Sequence, residues 1–333
     1  MKPVIVTTGQ QQTALDPRHS PCSLTSETNP EGDDGEARPV SEDKSDPIRP
    51  DGVDLNRPSV ARVYDYYLGG TANWAVDRDF GDRVLSKFPL LRDIALSNRQ
   101  LLNRVVRHLT KRGVRQFLDI GAGVPTAGNT HQVADETLIE AGATPDVRVV
   151  YVDNDPVAVA HANMLLNREG DASRQAVIEA DLRNPDELWR EAIDTQLLDP
   201  NEPVALLLIA VLHVHQPDAD GNDIGPESVA RFRDLLPRGS YLAISHITDE
   251  AVPEALSAKL AELKRMYDES SSSNAIWRTR EQIAALLGDF EVINPGWTWT
   301  PDWHPEEGGP TTQPVAFHAS NEAVVWTGVG LKP

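Results

Sequence analysis

Cysteine is nearly absent: Cys22 is the only one in 333 residues. A single thiol excludes an intrachain disulfide and any cysteine-rich zinc site, and it suits a reducing cytoplasm. Long apolar runs are also missing. The longest, Val204 to Val214, has the length of a strand and falls well short of the roughly 18–20 residues that span a bilayer. The opening Met1-Lys2-Pro3-Val4-Ile5-Val6-Thr7 is too short an apolar stretch for a secretory core. A soluble, cytoplasmic protein with no membrane attachment is therefore expected. Basic residues are scarce, with 31 Lys and Arg against 51 Asp and Glu and a net charge of -20. Phosphate neutralisation needs a basic face, and this charge balance argues against a general nucleic-acid binder, so nucleic acid is not the expected partner. The charge tilts the expectation towards small molecules, or basic proteins, as partners.

What remains is organised in three parts. Residues 1–56 are rich in Pro, Ser, Gly, Asp and Glu, and a patch such as Pro30-Glu31-Gly32-Asp33-Asp34-Gly35-Glu36 cannot bury enough surface to offset chain entropy. This stretch reads as a disordered acidic tail. At Arg57-Pro58-Ser59 the composition changes. A short helix with Ser59 as cap and Gly69 as stop is expected, then a second helix, then a long amphipathic one from about Leu90 to Lys111, ended by Gly113. These pieces, 57–113, form a helical N-terminal cap or lid. From Gln116 onward, strands are expected at 116–120, 148–153, 175–180, 203–211, 240–246, 289–294 and 322–330. Helices are expected near 126–141, 156–168, 185–193, 226–236, 253–268 and 279–287. Such alternation predicts an α/β fold over 114–333, a doubly wound, seven-stranded, mostly parallel sheet. The helix-free segment Pro295 to Pro314 would let the last two strands pair antiparallel.

In open α/β sheets, ligands sit beyond the carboxyl ends of the strands, so the residues ending each strand matter most. The first strand runs into Asp119-Ile120-Gly121-Ala122-Gly123. Two glycines permit a sharp turn and a close approach of backbone to ligand. Pro125 and Thr126 would then begin a helix whose free N–H groups face that ligand. Asp153, followed by Asn154, ends the second strand, where an ionised carboxylate can accept both hydroxyls of a ribose. Asp181 and Leu182 follow the third strand and could read an adenine edge, the acid accepting from the exocyclic amine. Asp119 could hold a ligand ammonium. Any one of these acids could be an ordinary turn former. Together, amine, ribose and adenine are parts of S-adenosylmethionine. A nicotinamide dinucleotide is the rival, but its Gly-x-Gly-x-x-Gly fingerprint needs a third glycine where Thr126 stands.

The chain resembles the S-adenosyl methyltransferase family once known only as a domain of unknown function. The resemblance runs from about Arg57 to Leu331. It is carried by Arg57-Pro58-Ser59-Val60-Ala61-Arg62-Val63-Tyr64-Asp65-Tyr66-Tyr67-Leu68-Gly69-Gly70 with Asn73 and Asp77, by Asn98-Arg99, by Phe117 to Gly123, and by Val150 to Pro156. It implies a Rossmann-like class I methyltransferase fold with the last strand antiparallel, and a donor site at Asp119, Gly121, Gly123, Asp153 and Asp181. Ala122, Asn154, Leu182, Gly69 and Gly70 complete the candidate donor site. His213, Tyr66 and Asp65 are the candidate catalytic groups, since an acceptor that must lose a proton needs a base. Tyr64, Tyr67, Asn73 and His215 are the candidate acceptor-binding residues. His213-x-His215 would need further metal ligands; Asp218 and Asp220 lie close by, but without a cysteine nearby or a third well-placed histidine no metal is expected. The tryptophans of Trp297-Thr298-Trp299-Thr300-Pro301-Asp302-Trp303 could wall the acceptor site or pack as a small core of their own. The expected function is methyl transfer from S-adenosylmethionine to an acceptor, most simply a small molecule, by a monomer or homodimer. A non-catalytic adenosyl-ligand sensor is the alternative, and an NAD-dependent oxidoreductase is the third reading.

Overall fold

The computed structural model describes residues 55–124, 128–309 and 313–333. The expected acidic tail, up to residue 54, lies outside the described residues, as do Pro125 and Thr126. The elements run α1 (Val60–Tyr67), α2 (Ala75–Lys87), α3 (Leu91–Lys111), β1 (Gln116–Ile120), α4 (Thr130–Glu140), β2 (Arg148–Asp153), α5 (Pro156–Glu169), β3 (Gln175–Glu179), α6 (Pro185–Asp194), β4 (Ala205–Ile209), α7 (Gly225–Leu235), β5 (Tyr241–Ile247), α8 (Glu254–Ser270), α9 (Arg280–Ala285), β6 (Glu291–Val292), β7 (Thr298–Trp299) and β8 (Val325–Leu331). The sheet order is β3-β2-β1-β4-β5-β8-β6, with β7 also paired to β8. The first five strands in that order are mutually parallel, and β8 runs antiparallel to β5, β6 and β7.

Alternation along each strand builds one core on each face, because successive side chains point to opposite sides. Leu118, Ile120, Val150, Val152, Leu206, Leu208, Leu242 and Ile244 face α6, α7 and α9, whose Leu188, Phe232 and Ile283 are buried against them. Phe117, Val149, Leu207 and Ala243 face the other way, onto Leu101, Val105 and Leu109 of α3 and Val133 and Leu138 of α4. Each such leucine contributes about 2 kcal/mol of burial. A third cluster lies at one end of the sheet. There Val63 and Tyr67 of α1, Phe80 and Val84 of α2, and Leu256, Leu260 and Leu263 of α8 surround Ile247 and Val325. The cap cluster therefore includes α8, which expectation had assigned to the covering of the sheet, and α3 serves both: its Leu91, Ile94 and Ala95 pack into the cap cluster and its Leu101, Val105 and Leu109 into the sheet's core.

Two boundaries and the strand count differ from expectation for identifiable reasons. The helix expected from residue 126 starts at Thr130, because Gly128 sits at φ 77° and the Gln132 side chain reaches back to accept from the Asn129 N–H at 3.0 Å. The fourth strand stops at Ile209, since Ala210 takes φ 63°. Among the described residues eight strands stand where seven were expected, because Thr298 and Trp299 of the Trp-rich segment pair with Thr327 and Trp326 of β8. Among its described residues that segment has no α-helix but carries short 3-10 turns at Thr300–Asp302 and Pro305–Glu307, and a further one at Ser320–Ala323 precedes β8.

The cap is pinned by a buried carboxylate. Asp77, fully buried, accepts from the Ser59 N–H (3.0 Å), the Trp74 N–H (2.9 Å) and Arg62 Nε (2.9 Å). Three segments of the Arg57–Asp77 stretch thus converge on one side chain. Removing one partner of a buried ion pair leaves an uncompensated charge. Asp77→Ala is expected to cost about 3 kcal/mol in urea unfolding; an unchanged midpoint would refute this role.

Candidate active site

The carboxyl ends of β1, β2 and β4 open onto a cavity of about 820 Å³, closed on the far side by α1, α3 and α8. Its floor is the glycine turn. Gly121 has φ 69° and Gly123 φ 67°, both in the left-handed region that favours glycine. A Cβ on Gly121 would come within 2.6 Å of Val211 Cγ2, whereas one on Gly123 would meet nothing within 4 Å. The turn is anchored to β2 by the Gly121 and Ala122 N–H groups, which donate to Val152 O at 2.9 and 3.1 Å.

Asp153 is bound to the loops on either side of it. Its Oδ2 accepts from Gly123 N at 2.7 Å and its Oδ1 from Asp155 N at 2.9 Å. Burial pushes its carboxyl up to about 6, although these N–H groups favour the ionised form. Asp119 is 4% exposed and accepts from Thr130 Oγ1 at 2.7 Å, and burial likewise raises it to about 6. Both acids line the cavity, together with Gly121, Ala122, Gly123, Asn154 and Leu182.

Asp181 does not. Its carboxylate is turned to Arg183, with contacts of 2.5–3.0 Å, and Arg183 continues to Pro217 O at 3.0 Å. Burial acts to raise its pKa, but the guanidinium and the Arg183 N–H outweigh it and hold the carboxyl below the ordinary value. Arg183 lines the cavity in its place.

The cap residues divide. Tyr64 and Tyr67 line the cavity, with Tyr64 Oη donating to Ala95 O at 3.0 Å and Tyr67 Oη 3.1 Å from Tyr267 Oη. Asp65, Tyr66, Gly69, Gly70 and Asn73 are outside it. Asp65 is 2% exposed and staples the loop after α1, accepting from Ala72 N (2.9 Å) and Asn73 Nδ2 (2.8 Å). Gly70 packs so closely on this carboxylate that a Cβ would fall 1.9 Å from Asp65 Oδ1. Tyr66 points away to donate to Asp82 Oδ1 at 2.6 Å and stacks on Gly81 of α2. Asp65 and Tyr66, expected as catalytic groups, do not line the cavity, because their side chains face the cap's interior and its outer surface.

His213 and His215 line the cavity after β4. His213 Nδ1 is buried and has no hydrogen-bond partner among the described residues. Burial, aided by nearby Arg278, drives its pKa down to about 4, so the imidazole is neutral at physiological pH. Behind it, Arg278 Nη1 donates to Leu212 O at 2.5 Å and Nη2 pairs with Asp223. The three tryptophans Trp297, Trp299 and Trp303 take no part in the cavity: Trp303 is fully buried under α3, Trp297 lies on Gly328, and Trp299 packs edge-on to Trp326.

Several lining groups escaped the sequence reading. Tyr267, Trp277 and the Ser272–Ala275 loop come from the end of α8 and the segment beyond it. Arg57 donates to Ser271 O, Ser272 N donates to Pro58 O at 2.9 Å, and Ser59 Oγ donates to Asp155. The Arg-Pro-Ser run is thus a strap across the cavity, joining the serine loop to the end of β2. The serine run 270–273 was the only local signal.

The sequence profile of the S-adenosyl methyltransferase family matches residues 47–333. The chain belongs to that family. Two solved structures are similar: a candidate methyltransferase from Thermobifida fusca YX, at 34% identity over 85% of this chain and 98% of that one with a TM-score of 0.71, and a DUF574 family protein from Streptomyces avermitilis MA-4680, at 32% identity over 83% and 98% with a TM-score of 0.71. No curated protein matches the chain. The protein is an S-adenosylmethionine-dependent methyltransferase with the class I fold. The residues present fit the donor: a glycine turn whose Gly121 and Gly123 line the cavity at φ 69° and 67°, and buried carboxylates at the ends of β1 and β2. Among the described residues, no helix is long and apolar enough to cross a membrane.

The buried acids carry a pH signature. Asp119 in the folded chain titrates at about 6, above the ~4 of an unfolded Asp. The folded state therefore holds the proton more tightly, and this contribution to stability, complete below pH ~4, is lost as pH rises through 6. Asp119→Asn removes the loss. It is expected to gain about 2 kcal/mol over the unsubstituted chain between pH 4 and pH 7 in ligand-free thermal melts. Parallel stability curves would refute the shift.

Proposed function

We propose that the acceptor is an uncharged small molecule held in the apolar end of the cavity, against Tyr64, Tyr67, Tyr267, Trp277 and His213. The observation that supports this reading is the room left there. The cavity extends beyond the glycine turn into a chamber that Leu91, Ile94, Ile247, Leu263 and Val325 also line. Its acidic lining residues, Asp119, Asp153 and Asp155, all belong to the ends of β1 and β2. A volume of about 820 Å³ falls within the ~300–1,000 Å³ of small-ligand sites. A sensor has no need of such a chamber and could fill it with side chains.

When bound, S-adenosylmethionine supplies an activated methyl group on a sulfonium. In this reading Asp153 accepts from ribose hydroxyls, Asp119 accepts from the amino group, and Gly121 and Gly123 let the backbone approach closely. Asn154 and Leu182 contribute neighbouring walls. The aromatic wall orients the acceptor and excludes water, which is most of what an in-line displacement asks of a protein. His213, neutral and with an unused Nδ1, accepts a hydrogen bond from an acceptor hydroxyl or receives its proton. His215, at the same strand end, borders the acceptor. The single cysteine and the net charge of -20 favour a reducing compartment and a small molecule over nucleic acid.

Titration calorimetry tests the donor half. S-adenosylhomocysteine is expected to bind and NAD not to bind, and Asp153→Ala is expected to weaken the former at least tenfold, about the loss of one hydrogen bond to a charged group. Binding of NAD alone, or an unaffected Asp153→Ala, would sink the assignment. Since Asp119 and Asp153 take up protons near pH 6, affinity for S-adenosylhomocysteine should also fall as pH drops below about 6. A flat profile from pH 7 to pH 5 would remove both carboxylates from the site.

A further inference from the structure

Arg99 belongs to the Asn98-Arg99 pair of α3, and the two side chains part company. Asn98 is structural: its Oδ1 accepts from Ser245 Oγ at 2.7 Å, and Ser245 Oγ accepts from Ala210 N at 2.9 Å, which ties α3 to the ends of β4 and β5. Arg99 has no comparable task. Its Nη2 donates to Asn129 Oδ1 at 3.1 Å, and its Nε is buried with no hydrogen-bond partner among the described residues. A buried guanidinium N–H without an acceptor is costly, and such groups are otherwise rare. The side chain lines the main cavity and also a small adjoining crevice with Asp119, Ala122, Gly123, Asn129 and Thr130. It stands close enough to Asp119 to favour that carboxylate, yet among the described residues Arg99 forms no direct ion pair.

A cation and an anion placed side by side, each with unused hydrogen-bonding capacity, are complementary to a zwitterion. The donor's amino-acid end is one: an ammonium and a carboxylate on a single carbon. We propose that Arg99 binds the donor's carboxylate through its guanidinium while Asp119 holds the neighbouring ammonium. This rests on the donor-site reading of the cavity. It accounts for two features at once, the orphaned Nε and the lack of a direct Arg99–Asp119 pair, since the bound zwitterion sits between the two charges. A guanidinium suits the task because its fork matches a carboxylate.

The test compares three ligands by calorimetry on the full chain: S-adenosylhomocysteine, the decarboxylated analogue of S-adenosylmethionine, which keeps the ammonium, and 5′-methylthioadenosine, which lacks the amino-acid end. Arg99→Gln is expected to weaken S-adenosylhomocysteine about 10- to 100-fold, the range for a hydrogen bond to a charged group. The other two ligands should bind as before or better, and Arg99→Lys should recover part of the loss. Unchanged binding of S-adenosylhomocysteine overturns the proposal. So does equal weakening of all three ligands, which would mark Arg99 as a structural residue. If the unsubstituted chain binds methylthioadenosine but does not distinguish S-adenosylhomocysteine from the decarboxylated analogue, the carboxylate subsite fails while the donor site stands. If it binds none of the three, the donor-site reading fails and the proposal with it.

Discussion

The Asp153 carboxylate is the joint on which the site depends. One oxygen holds the glycine turn after β1 through Gly123, and the other holds the loop after β2 through Asp155. Parallel strands leave unpaired loops at their carboxyl ends, and adjacent loops have no ladder to fix their spacing. A short acidic side chain between them supplies that spacing. It also leaves the carboxylate buried among backbone dipoles, facing the cavity, where a ligand's hydroxyls can complete its coordination.

A second carboxylate plays the same part for the cap. Asp77 collects the Ser59 and Trp74 N–H groups and Arg62, and Asp65 does the same for the loop after α1. The two acids explain why Asp65 and Gly69-Gly70 occur together without lining the cavity. The cap is held rigid by buried polar bonds, and its aromatic inner face is thereby presented to the chamber. The Arg57-Pro58-Ser59 strap then connects this rigid unit to the serine loop and to Asp155.

Electrostatically the site is held in tension. Asp119 and Asp153 are raised by burial and His213 is lowered by it, each shift favouring the uncharged form in the ligand-free protein. Groups kept away from their preferred charge state are common where a ligand is to supply the missing partner. Stability given up at these positions is therefore the counterpart of affinity, a familiar trade at functional sites.

The α/β alternation, the strand-end acids and the glycine turn were legible because each is a local consequence of composition: period-two burial, turn-forming residues and φ > 0. The helix starting at Thr130 was legible too in principle, through Asn129 and Gln132, but Pro125 offered a more familiar signal. What could not be read was direction. Asp65, Tyr66 and Asp181 have the right chemistry at the right sequence positions, yet a helix turns successive side chains by about 100° and Arg183 lies two residues from Asp181. Only tertiary packing decides which face of α1 meets the cavity and which partner claims a carboxylate. Tyr267, Trp277 and Arg99 reach the cavity from segments distant in sequence, so no spacing rule could gather them. Sequence alone determined the alternation that builds the sheet, the glycine turn and the acids at the strand ends, each a local consequence of composition. The tertiary structure decided which side chains share the cavity, because burial and hydrogen-bond partners are properties of neighbours in space.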